Sequence, residues 1–185
     1  MANKDFLLAS ILATGFLLCM LGLCFPWFVF NGLANFQDET FAVSGEVFAF
    51  GFGRNNYGAQ VCVWSSTHGW NTATTDFWYG YLLVCGLALL LLAIFLAVAK
   101  KARVSAGLAL ASSTIIMVAL MLALSYHPAV FVFLGPIPTT EGTCVGLARL
   151  YSDQATINIG LGFLFSFIGS LMVLLGVLVR SVKKS

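Results

Sequence analysis

Long apolar runs alternate with shorter polar stretches along the chain. Four runs, 6–30, 77–99, 104–126 and 157–179, contain no Asp, Glu, Lys, Arg or His. A helix needs about 20 predominantly apolar residues to cross the hydrocarbon core of a bilayer, so each run is long enough to span it once. The second and third runs are joined only by Lys100, Lys101, Ala102 and Arg103, a connection so short that the two helices must form an antiparallel hairpin. The pattern predicts a single domain over 1–185 of the all-α membrane class: a four-transmembrane-helix bundle carrying a small extracellular β-hairpin or sheet. The two remaining segments, 31–76 and 127–156, become outer loops.

The first outer loop has strand character. Phe41, Val43, Val47, Phe48, Phe50, Phe52, Val61, Val63 and Trp64 are good strand formers. Residues tend to alternate over 41–52 and again over 59–65, and Arg54-Asn55-Asn56-Tyr57-Gly58 supplies a turn between them. A β-hairpin is expected there, with Phe48, Phe50 and Phe52 on one strand face. An aromatic face of this kind must be covered by the bundle, by lipid or by another protein, which makes Phe48, Phe50, Phe52 and Trp64 candidate partner-binding residues. In the second loop, 129–133 adds a strand before Gly135-Pro136-Ile137-Pro138 breaks it.

Aromatic residues gather where the runs meet the polar loops. Trp27 and Phe28 after Pro26, then Phe77, Trp78 and Tyr79 after the capping pair Thr75-Asp76, and finally Tyr126, all fall in one layer. They suit an interfacial belt, with an aromatic ligand site as the alternative. Small residues recur at every fourth position as Gly162, Ser166 and Ser170, and as Ser105, Ala109 and Ser113. Such stripes bring helix backbones close together where lipid removes the hydrophobic drive; they serve helix packing within the chain or the docking of a partner helix. Ser112, Ser113 and Thr114 are expected to bond back to their own helix.

Composition sharpens the class. Hydrophobic residues make up 60% of the 185 and charged residues 9%, against about 25% charged in soluble domains, which excludes a soluble enzyme. Charge then orients the spans. Lys4, Lys100, Lys101, Arg103, Arg180, Lys183 and Lys184 face only Asp5 on one side of the four spans. Arg54 and Arg149 face Asp38, Glu39, Glu46, Asp76, Glu141 and Asp153 on the other. Because cytoplasmic loops retain Lys and Arg, both termini are expected in the cytoplasm, and the plasma membrane is the expected location. The first run, 25 residues long, exceeds a secretory h-region and reads as a retained span.

Candidate chemistry is sparse. Without Asp, Glu, Lys, Arg or His inside any span, a proton relay, ion path or voltage sensor lacks its usual charge-carrying groups. His68 and His127, with Cys62 and Cys144, make a conceivable zinc set, but no C-x-x-C or H-x-x-x-H spacing supports it; ordinary solvated loop histidines are the simpler reading. Cys19, Cys24 and Cys85 lie within the spans as small apolar residues. Cys62 and Cys144 stand one in each outer loop, which points to a disulfide between the loops that contributes on the order of 4 kcal/mol; free thiols and an intermolecular bridge are its competitors. The sequence assigns no enzyme activity, no cofactor and no nucleic-acid partner.

Four spans, inner termini, a long β-rich first loop, a short inner turn and a shorter second loop resemble the claudin and peripheral-myelin-protein superfamily, which includes calcium-channel gamma subunits. Gly58-Ala59-Gln60-Val61-Cys62 stands where that family carries Gly-Leu-Trp-x-x-Cys, and Trp27 closes the first span. The motif here is one residue shorter and lacks its tryptophan. Trp70 occupies the neighbourhood of the family's second cysteine, and residues 182–185 lack a hydrophobic final residue. The resemblance implies a non-enzymatic tetraspan protein active in adhesion or cell-junction formation, or an accessory subunit of a larger membrane assembly. Its partners would be membrane lipids and other membrane proteins or further copies of itself. The alternatives are a structural subunit of an energy-transducing complex holding an apolar cofactor, or a small channel.

Overall fold

The apolar runs form helices, but helix and run do not end together. The structure, a computed structural model, describes residues 4–36, 39–50, 52–55, 60–62, 78–125, 131–139, 142–150 and 156–182. The helices are α1 (Lys4–Cys24), α2 (Trp78–Val98), α3 (Ala102–Ser125) and α4 (Leu161–Val182). All four are long and apolar enough to cross a membrane. Among the described residues there are also seven strands: β1 (Phe28–Phe36), β2 (Glu39–Val47), β3 (Phe52–Asn55) and β4 (Gln60–Cys62) between α1 and α2, then β5 (Phe131–Thr139), β6 (Gly142–Leu150) and β7 (Thr156–Ile159) between α3 and α4.

Two boundaries correct the expected spans. The first run was expected to be helical through residue 30, yet α1 stops at Cys24 and β1 starts at Phe28. Pro26 has no amide proton to donate and disfavours helical geometry at Phe25, so the helix ends just before it. The fourth run was expected to begin at 157, but 156–159 is β7, paired along Phe28–Asn31 of β1. In both places strand and helix adjoin with no charged residue between them, so the apolar run continues across the change of structure and does not mark it.

The helices pack in a ring, α1 against α2 and α4, α3 against α2 and α4. Their buried positions alternate by four and three: Leu8, Leu12, Gly15, Cys19 and Gly22 in α1, and Tyr79, Leu83, Gly86, Leu90, Ala93 and Ala97 in α2. The same spacing runs through Ala102, Ser105, Ala109, Ser112, Ile116, Ala119 and Ala123 in α3, and Gly162, Ser166, Gly169, Val173 and Gly176 in α4. A 3.5-residue repeat is the seam of left-handed helix packing. α1 and α4 approach closely through their glycines. A Cβ on Gly22 would stand 2.8 Å from the Gly162 carbonyl oxygen, and one on Gly15 2.9 Å from that of Gly169.

Buried serines stitch the helices to one another. Ser112 Oγ donates to the Gly86 carbonyl (2.7 Å) and Ser105 Oγ to that of Ala93 (2.7 Å), joining α3 to α2. Ser113 Oγ donates to the Ser170 carbonyl (3.0 Å) and Ser170 Oγ to that of Ser113 (3.2 Å), joining α3 to α4. The expectation that Ser112 and Ser113 bond back to their own helix is therefore corrected. Both hydroxyls lie on the packed seam, where a neighbouring carbonyl is within reach. Of these three, Thr114 on the exposed face returns to its own helix, at Leu110 (3.0 Å).

The sheet is antiparallel, in the order β4-β3-β2-β1-β6-β5 with β7 also on β1. β1 is its spine. β2 pairs with β1 throughout, from Phe28 opposite Val47 to Phe36 opposite Glu39. On the other side of β1, β7 takes the half next to the helices and β6 pairs at Ala34 and Asn35. β5 runs through the expected break, with an irregularity between Leu134 and Ile137 where Gly135 and Pro136 interrupt the ladder. The predicted hairpin is real only in its second half, β3 with β4. Its first arm is two strands, β2 and β3, separated by 48–51, so Phe48, Phe50 and Phe52 do not share one strand face.

Candidate functional site

The sheet meets the bundle at Trp27. This residue has no exposed surface, which corrects its expected place in an interfacial belt. Its backbone joins both neighbouring strands: Trp27 N–H donates to the Val47 carbonyl (2.7 Å), and Gly160 N–H donates to the Trp27 carbonyl (2.8 Å). Gly162 N–H donates to the Pro26 carbonyl (2.8 Å), tying the start of α4 to the same turn. The indole N–H donates to the Gly22 carbonyl at 2.8 Å. That carbonyl lies in the last turn of α1, where helical acceptors lack a partner within the helix, so the side chain caps the helix its own backbone has just left.

Aromatic packing completes the junction. The Trp27 ring stacks on Tyr79 of α2, with centroids 5.6 Å apart and planes 20° apart. Phe163 of α4 meets it edge-on at 5.8 Å and 84°. Offset and edge-to-face pairs of this kind add about 0.5–1.5 kcal/mol each beyond the area they bury. One cluster holds Trp27, Phe28, Val47, Ala49, Tyr79 and Phe163 together with Leu83, Ile116 and Leu120. A second fills the far end of the bundle with Leu8, Leu12, Leu90, Ala93, Ala97 and Val173. α1, α2, α4, β1, β2 and β7 thus converge on one residue.

The segment after β2 lies on α2. A Cβ on Gly80 would stand 2.6 Å from the Ala49 carbonyl oxygen, so this glycine admits the chain at 49–50. Phe50 is half-buried against the sheet-end cluster and meets the Tyr81 ring at 5.8 Å and 71°. Phe50 thus packs against α2 of its own chain. Phe48 is half-buried. The side chain of Phe52 and all of Trp64 lie outside the described residues, as do His68, His127 and Trp70.

Cys62 stands in β4 opposite Phe52, and Cys144 in β6 opposite Ile137; the side chains of both lie outside those described. Cys19, Cys24 and Cys85 are free thiols. Gly162 and Ser166 face α1 near Gly22, and Cys19 Sγ donates to the Ser166 carbonyl at 3.5 Å. Ser170 faces α3.

Sequence reasoning missed the role of Trp27 and its partners Tyr79, Phe163 and Gly160. It also missed the seven-residue spacing of Gly15 with Gly22 and of Gly162, Gly169 and Gly176, a signal that is plain in the sequence once that period is sought. No protein-family model matches the chain, and no curated protein sequence matches it.

Proposed function

We propose that the chain is a non-enzymatic tetraspan membrane protein of claudin-like design, in which the sheet is a recognition platform held rigidly on a four-helix membrane bundle. In this reading both termini are cytoplasmic, the sheet stands outside the plasma membrane, and the protein acts in adhesion, in junction formation or as an accessory subunit. The observation that carries it is the Trp27 junction. A loop that only connected two spans would have no use for a buried tryptophan bonded to two strands and capping a helix. Fixing β1 and β2 in this way pre-organises the surface they present, which lowers the entropic cost of binding a partner.

The proposed disulfide between Cys62 and Cys144 would add a covalent tie between the two sheet-bearing segments. Its support is that β4 approaches β5, the hairpin partner of the strand carrying Cys144. Non-reducing peptide mapping should yield a linked fragment, and alkylation of both thiols in the untreated protein removes the bridge from the reading.

Photo-crosslinking in native membranes tests recognition itself. A crosslinking residue replacing Glu46, exposed on β2, should capture a second copy of the chain or one recurrent membrane protein. The same residue replacing Leu91, exposed on α2, serves as the control. Capture from the helix alone, or from neither position, would overturn the platform reading.

A further inference from the structure

The end of the bundle away from the sheet presents a surface with two chemistries side by side. Phe95 and Val98 in the last turn of α2 are 69% exposed, and Val104 in the first turn of α3 is 58% exposed. Between them lie Lys100, Lys101 and Arg103, all exposed. The connection is held in shape by the Lys100 and Lys101 amides, which donate to the Ala97 (3.1 Å) and Leu96 (2.9 Å) carbonyls. The first turn of α3 carries no acidic residue. Among the described side chains the acidic one, Glu46, belongs to the sheet at the opposite end.

Three cations bordered by exposed apolar side chains match one kind of molecule, an amphiphile whose phosphate lies next to its acyl chains. We infer that the α2–α3 turn binds an anionic glycerophospholipid, its phosphate among Lys100, Lys101 and Arg103 and its acyl chains along Phe95, Val98 and Val104. The inference rests on the membrane reading above. Basic residues at a bilayer surface favour anionic over neutral lipid through their charge, and the preference weakens as salt screens it. A free phosphate would satisfy the cations but leave the apolar border uncovered, so the lipid is the occupant that meets both halves of the surface.

The test is native mass spectrometry of the full chain released from bilayers of equimolar phosphatidylcholine and phosphatidylglycerol with identical acyl chains. Wild-type protein should retain phosphatidylglycerol in preference, and each charge removed in Lys101→Gln and Arg103→Gln should lower that preference about fivefold. Lys101→Arg should keep it, and inorganic phosphate should not displace the lipid. Equal retention of the two lipids by the wild type, or full preference in the double variant, would overturn the inference. If the double variant does not fold, the wild type decides alone: its preference must fall at high salt, and a salt-independent one also overturns the site. Failure to insert into pure phosphatidylcholine bilayers would instead count against the membrane reading.

Discussion

Trp27 concentrates more structural consequence than any other described side chain, because its backbone and its ring do separate jobs. Trp27→Phe keeps an aromatic ring against Tyr79 and Phe163 but leaves the Gly22 carbonyl without its donor in a buried place. That change should cost about 1–3 kcal/mol, the usual penalty for an unsatisfied buried polar group. Trp27→Ala also removes the ring and should cost about 3–5 kcal/mol. Unfolding of the detergent-solubilised protein measures both, and equal stability of the two variants would show that the ring contributes nothing beyond its hydrogen bond. A second residue works against stability. Lys100 has a φ of 61°, the left-handed position that closes a helix and that glycine occupies without a Cβ clash. Lys100→Gly should stabilise the protein by about 1 kcal/mol in the same measurement, and a loss of stability would mean that the lysine side chain outweighs its backbone strain.

Among the elements, the α1–α4 pair is the most sensitive to added volume. At Gly22 the atoms in the way are the Ser166 hydroxyl and, next to it, the backbone oxygen of Gly162, which cannot move without the helix it belongs to. Gly22→Ala should therefore destabilise by about 1–3 kcal/mol. The control is Gly107 in α3, where an added Cβ meets nothing within 4 Å, so Gly107→Ala should gain up to about 1 kcal/mol from helix propensity. Equal effects at the two sites, read from parallel unfolding curves, would contradict the close packing of α1 on α4.

The elements also explain what the sequence made legible. All four helices were visible because each is built on a long uncharged apolar run. The α2–α3 hairpin was visible because residues 100–103 leave no alternative. β1 and β7 were hidden, since Phe28, Phe30, Ile157 and Ile159 extend the apolar runs of neighbouring helices, and stretches this short do not separate strand from helix by period alone. The Trp27 site was half legible. Pro26 marks the end of a helix, but the rings meeting Trp27 come from residues 79 and 163, and pairing across that separation is a property of the fold that no local pattern carries.

At the scale of the whole molecule, two bodies join at an aromatic junction: a ring of four apolar helices and a sheet whose spine, β1, starts on the bundle and runs away from it. The central claim is that this junction makes the sheet rigid with respect to the helices. Hydrogen exchange of the full chain in lipid nanodiscs, comparing wild type with Trp27→Ala, tests that claim most directly. In the wild type the amides of β1, β2 and β7 should be protected. In the variant all three strands should exchange faster together, while α2 around Leu90 and Ala93, in the far cluster, keeps its protection. Strand amides that exchange freely in the wild type, or that exchange at the same rate once Trp27 is gone, would contradict the account.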